Sequence, residues 1–138
     1  MRRIRFKARS LKTGEMVEGF YAHLHIANFD ADGMLIAGYK ETDAIFNNEP
    51  GSRKGGYWVD IDPETLCQQT GMDDIFMFPI WEHDIVALHS LPGQSEKEPG
   101  EVVFLQTAYA VRFDDGSNEL LSTLRKRYDI QVIGNAFE

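Results

Sequence analysis

Residues 3 to 9 run Arg3, Ile4, Arg5, Phe6, Lys7, Ala8, Arg9, an unbroken alternation of charged and apolar side chains. A period of two is the signature of a strand, because successive Cβ atoms point to opposite faces of a sheet. The spacing predicts Ile4, Phe6 and Ala8 on a covered face and the cations on a wet one. Further apolar segments follow, separated by bends rich in glycine and aspartate. Lys12-Thr13-Gly14 makes a turn, and Met16 to His25 forms the return strand of a hairpin. Phe29 to Met34 turns again into Leu35-Ile36-Ala37, Asn47 to Gly56 reads as a surface loop, and Trp58 to Ile61 resumes the alternation.

Asp62-Pro63-Glu64-Thr65 is a helix-start pattern, since Asp62 can accept the first amides and Pro63 stands where a missing N–H costs nothing. Only a short helical turn fits before Gly71. Short strands are expected at Asp84 to His89, Glu101 to Gln106, Ala108 to Phe113 and Asp129 to Ile133. Between them lie a charged loop from Pro92-Gly93 to Pro99-Gly100 and a tight turn at Asp114-Asp115-Gly116. Leu120, Leu121 and Leu124 suggest a second short helix, with Arg125, Lys126 and Arg127 at the end where the helix dipole favours cations. Short strands at this spacing predict a mainly β chain, arranged as a small barrel or sandwich with one or two short helices.

The 138 residues and a 43% hydrophobic fraction suit one domain with a proper core. No apolar run approaches the roughly 20 residues of a membrane span, and the basic N-terminus leads into more charge rather than a signal region. A cytoplasmic protein without a membrane partner is expected. The single cysteine, Cys67, excludes an internal disulfide, supplies too few thiols for a structural zinc site, and is expected to be a buried side chain. The net charge of −8 is unevenly spread: six of the 14 basic residues precede the first acidic one, Glu15. The remainder sets eight basic against 22 acidic side chains, a balance of −14. Two readings of the basic strand follow: it lies on an acidic body, its own or a neighbouring subunit's, or it is a nucleic-acid-contacting arm of Arg3, Arg5, Lys7 and Arg9.

Three stretches, taken together, resemble the YopX family of phage and prophage proteins. They are Ile4-Arg5-Phe6-Lys7-Ala8-Arg9, then Asp62 to Met72 with Asp74 and Ile80-Trp81-Glu82-His83-Asp84-Ile85-Val86, and last Tyr128 to Asn135. In order and spacing the resemblance covers nearly the whole chain, although Tyr21 to Gly56 carries no motif. It implies a single domain over residues 1–138, with an N-terminal β region (1–61) packed with a small Src-homology-3-like barrel formed by residues 62–138. It also implies a protein of the host-cell cytoplasm without enzymatic activity. The chain departs from the family in three places: Ile75-Phe76-Met77-Phe78-Pro79 replaces a polar hairpin, and His83 and Cys67 each stand where a glycine is usual. A histidine in place of that glycine predicts a different turn geometry at residue 83, unless His83 sits in a strand with ordinary dihedrals.

Ile75 to Trp81 is the least expected stretch, because nearly continuous apolar side chains where a solvated turn is usual must find cover. Ile75, Phe76, Met77, Phe78, Ile80 and Trp81 are therefore the candidate apolar interface, covered by residues 21–56, by a second copy in a homo-oligomer, or by a phage or host protein. Asp84 is the candidate structural turn residue, its carboxylate able to accept backbone N–H groups just before a strand. His83 and His89 lie six residues, roughly 20 Å, apart along a strand and cannot share an ion. His23 and His25 share a face and could chelate a divalent ion if a carboxylate joined them, but such pairs are usually ordinary strand surface. Asp30, Asp32 and Gly33 resemble the start of a calcium loop with Glu41 at its twelfth position, yet the glycine falls at position four rather than six.

No metal, no cofactor and no catalytic residue is expected, since no nucleophile motif, phosphate loop or dinucleotide fingerprint occurs. Tyr57, Trp58, Trp81, Phe104 and Tyr109 could stack on bases if they lined one face, though core positions are the commoner fate of such residues. The sequence thus predicts a protein-binding or self-assembling β module, with a nucleic-acid-associated module as the alternative.

Overall fold

Antiparallel ladders account for most of the backbone in a computed structural model that describes residues 4–29, 32, 34–47 and 57–138. These residues fall into two compact units, Arg5–Leu66 and Cys67–Glu138, with Ile4 belonging to the second.

The N-terminal unit contains β1 (Phe6–Arg9), β2 (Met16–Phe29), β3 (Leu35–Asn47) and β4 (Tyr57–Asp60), hydrogen-bonded as antiparallel neighbours in the order β4-β3-β2-β1. Ala8 lies opposite Val17, and together with Ile45 and Ile61 it forms a small core against which Phe6, Val17, Tyr21 and Leu66 pack. Gly19 is needed where β2 passes β3: a Cβ there would come within 2.2 Å of the Phe46 carbonyl oxygen. After β4 the chain makes a 3-10 turn, Pro63–Thr65, in which Asp62 Oδ1 accepts the Glu64 N–H at 3.1 Å. Thr65 ties that turn to β1 by accepting the Arg9 N–H at 2.8 Å. Among the described residues of this unit β1 pairs with Met16–Gly19 and β4 with Ala44–Asn47, so the far half of the β2/β3 pair is there a two-stranded ribbon.

The C-terminal unit contains β5 (Cys67–Asp73), β6 (Pro79–Trp81), β7 (Asp84–Ser90), β8 (Gly100–Leu105), β9 (Ala108–Arg112), β10 (Asn118–Leu120), α1 (Leu121–Leu124) and β11 (Tyr128–Asn135). Five strands form an antiparallel sheet in the order β10-β9-β8-β7-β11, and β5 pairs with β6. Val86, Leu88, Val102, Val111, Tyr128 and Ile130 are the sheet's contribution to the core, which Ile80, Leu121 and Leu124 complete. Full burial of each large apolar side chain contributes about 1.5–3 kcal/mol relative to exposure.

The mainly β expectation holds, and the short helical elements fall where the capping and leucine patterns place them. The five-stranded ladder does not close into a ring, because β10 and β11 are its edges. Side chains of β6 and α1 supply the remaining cover on the core. Three strands escaped the sequence pattern. Cys67–Asp73 is mostly polar and carries Gly71, while β6 and β10 are three residues each, too short for alternation to register. Cys67 is buried as expected. Beyond Asn47, the loop read at Asn47 to Gly56 lies outside the described residues.

Candidate functional site

The apolar stretch divides at Pro79. Ile75, Phe76, Met77 and Phe78 are 43%, 58%, 76% and 63% exposed, whereas Ile80 and Trp81 are 0% and 4% exposed. The expectation that Ile80 and Trp81 belong to an interface is corrected: β6 begins at Pro79 and turns them inward, Ile80 into the core of the C-terminal unit. The remaining four form the tip of the loop between β5 and β6.

That tip is not slack. Asp74, itself buried, accepts the N–H groups of Phe76 and Phe78 on Oδ1 at 2.9 and 3.0 Å, and that of Val132 on Oδ2 at 3.0 Å. The backbone closes the same loop, with Asp74 N donating to Phe78 O at 2.8 Å and Ile75 N donating to Ile130 O at 2.9 Å. Met77 adopts a φ of 67°, a left-handed conformation costing about 1–2 kcal/mol for a residue with a Cβ. A buried carboxylate with three backbone donors thus holds four apolar side chains in water. Beside the loop is a cleft of about 230 Å³ lined by Asp73, Asp74, Ile75, Arg125, Tyr128, Asp129 and Ile130.

Asp84 lies where the turn reading placed it. Its buried carboxylate accepts the Trp81 N–H at 2.7 Å and the Asn135 side-chain amide at 2.9 Å, tying the turn before β7 to the end of β11. His83 has a φ of 70°, the left-handed region that glycine enters without a Cβ penalty, so it does not take ordinary strand dihedrals. The conformation is supported from both sides, His83 N donating to Val102 O at 2.7 Å and its carbonyl accepting from Ala136 N at 2.8 Å.

The basic strand fits a nucleic-acid arm less well than its sequence suggests. Lys7 is only 8% exposed, so the face expected to be wet is covered at its centre. A lysine's long apolar stem tolerates such burial. Arg5 and Arg9 are half-buried, Ile4 on the nominally covered side is exposed, and Arg3 lies outside the described residues. Of the aromatic residues considered for stacking, the Tyr57 side chain lies outside what the structure describes. Trp81 is buried, Phe104 packs at a tilt against Tyr109 with ring centroids 4.9 Å apart, and in the N-terminal unit Trp58 packs at a tilt against Phe46 at 4.8 Å. Phe20, Phe46 and Trp58 are cross-strand neighbours on β2, β3 and β4, a row visible only once register is known.

On the ribbon, His23 lies opposite Asp43 and His25 opposite Glu41. The strand period sets Tyr21, His23 and His25 on one face. Tyr21 OH donates to Asp43 Oδ1 at 2.5 Å, and His23 Nδ1 lies 2.9 Å from the same oxygen. Hydrogen bonds from Tyr21 first and His23 second hold the Asp43 carboxyl below its ordinary range. The carboxylate in turn raises the His23 imidazole and the Tyr21 phenol above theirs. Glu41 reaches both rings, its Oε1 being 3.4 Å from His25 Nδ1 and its Oε2 3.8 Å from His23 Nε2. Sequence reasoning found the histidine pair but not its carboxylates.

No protein-family model matches the chain, and no curated protein does. Among solved structures the chain is similar to protein EF1440 from Enterococcus faecalis, with 21% identity, covering 98% of this chain and 94% of that one, at a TM-score of 0.49. No helix among the described residues is long and apolar enough to cross a membrane.

Proposed function

We propose that this chain is a phage or prophage accessory protein without enzymatic activity, acting in the host cytoplasm, that binds protein through Ile75, Phe76, Met77 and Phe78. The YopX resemblance supplies the phage setting and the absence of catalysis. The observation that carries the binding role is the tip itself: four apolar side chains exposed on a backbone fixed by buried Asp74. Loops that leave apolar groups in water ordinarily relax to cover them, because each forgoes about 1.5–3 kcal/mol. Here the hydrogen bonds oppose relaxation and reduce the ordering cost a partner would otherwise meet on binding. A stable interface buries about 800 Å² per partner, more than one loop supplies. The tip is accordingly an anchor, of the aromatic kind that dominates binding energy, inserted into a wider contact.

A second copy of the chain is the first partner to test. Light scattering across a concentration series is expected to show assembly at high micromolar concentration that Phe76→Asp abolishes. A monomer throughout, with the variant indistinguishable from it, moves the assignment to a different protein partner. The buried Lys7 disfavours the nucleic-acid alternative. Retardation of DNA at low salt that is lost in an Arg5→Glu, Arg9→Glu variant would reinstate it.

A further inference from the structure

The cluster on the β2/β3 ribbon is not used by the binding role proposed for the tip. We propose that His23, His25 and Glu41 form a binding site for one divalent transition-metal ion of the zinc class, with Asp43 as the positioning residue behind His23.

Spacing and register bring the ligands together. Residues i and i+2 of β2 share a face, and Glu41 stands on β3 directly opposite His25. One nitrogen from each ring and one Glu41 oxygen all lie within 4.8 Å of one another. Tetrahedral zinc, with bonds of about 2.0–2.2 Å to nitrogen and oxygen, holds its ligand atoms about 3.3 Å apart. The 3.4 Å from His25 Nδ1 to Glu41 Oε1 and the 3.8 Å from His23 Nε2 to Glu41 Oε2 are within a small rotamer adjustment of that spacing. All three side chains are exposed, so the adjustment displaces no core atom.

The second observation is the proton arrangement. An ionised carboxylate can only accept hydrogen bonds, so beside Asp43 the His23 Nδ1 must carry the hydrogen. In the neutral ring the lone pair is then on Nε2, the atom facing Glu41. Tyr21 fixes Asp43 from the other side. A carboxylate that orients a histidine whose far nitrogen binds metal is the usual outer shell of a zinc-type site.

Two imidazoles and one carboxylate favour Zn²⁺, Ni²⁺ or Cu²⁺ over Mg²⁺ and Ca²⁺, which take all-oxygen shells. The fourth position stays open to water. Among the described residues the ribbon carries no further ligand close enough to close it.

The test uses the full chain, stripped with a chelator, dialysed and titrated with Zn²⁺ by calorimetry at slightly alkaline pH. Saturation at one ion per chain is expected, with Mg²⁺ giving no saturable heat. His23→Ala, His25→Ala and Glu41→Ala should each weaken binding at least about ten-fold, with circular dichroism unchanged. Asp43→Asn should weaken it by about ten-fold although the side chain touches no metal, and should shift the ligand-field absorption of the Co²⁺-loaded protein. Absence of saturable uptake overturns the proposal. So does uptake that survives in the His23→Ala, His25→Ala double variant, or uptake indifferent to Glu41→Ala.

Discussion

In the C-terminal unit the buried carboxylates of Asp74 and Asp84 accept backbone N–H groups at turns, whereas in the N-terminal unit those of Asp43 and Glu41 face a phenol and two imidazoles. The residue types are the same and the consequences differ. A buried carboxylate bonded to amides fixes chain geometry, and its removal strands donors that have lost water. An exposed carboxylate facing titratable rings contributes little to holding the fold together, but it sets their protonation and leaves lone pairs open to a ligand. The units also differ in core: the sheet of the C-terminal unit carries a continuous apolar cluster, while the ribbon of the N-terminal unit extends beyond a cluster formed, among the described residues, around Ala8, Ile45 and Ile61.

The largest expected effect breaks the comparison at its strongest point. Asp84→Ala leaves the Trp81 N–H and the Asn135 amide without this acceptor in a buried setting, and should lower unfolding stability by about 3 kcal/mol in urea titrations. The matching change in the other unit, Asp43→Asn, is expected to leave the urea midpoint where it was. Asp74→Ala removes an acceptor from three amides that are only partly buried, so a smaller loss of about 2 kcal/mol is expected by the same measurement.

The smallest effect is a pH dependence. Asp115 is held below the ordinary carboxyl range first by the Ser117 hydroxyl and then by the Ser117 N–H. A folded value below the unfolded one means that the stabilisation is present above the unfolded pKa and is lost as pH falls through the folded pKa. Ser117→Ala should move the Asp115 carbonyl titration upward in NMR spectra and shrink that acid-side dependence. An unmoved titration would show that the clamp is not what holds the carboxyl down.

Alternation was legible where one strand face is covered and the other wet. Asp84–Ser90 and Ala108–Arg112 emerge close to their expected bounds for that reason. It failed for the polar β5 and the three-residue β6 and β10, whose pairing depends on partners elsewhere in the chain. The apolar run was visible as a run, but its division into an exposed tip and a buried strand depended on where β6 starts. The role of Asp74 is only partly local: Phe76 and Phe78 follow it by two and four residues, whereas its third donor, Val132, is 58 residues away. His23 and His25 could be put on one face from spacing alone. Glu41 could not be put opposite them, since that follows from β2/β3 register, which no short-range pattern specifies.

Amide hydrogen exchange resolved by NMR tests the central claim that a buried carboxylate clamps an apolar loop in an exposed shape. In the native chain the Phe76, Phe78 and Val132 amides should exchange slowly and alike, and Asp74→Ala should release all three while Val86 and Val111 stay protected. Fast exchange at Phe76 and Phe78 in the native chain, at the rate of an unstructured loop, would contradict it.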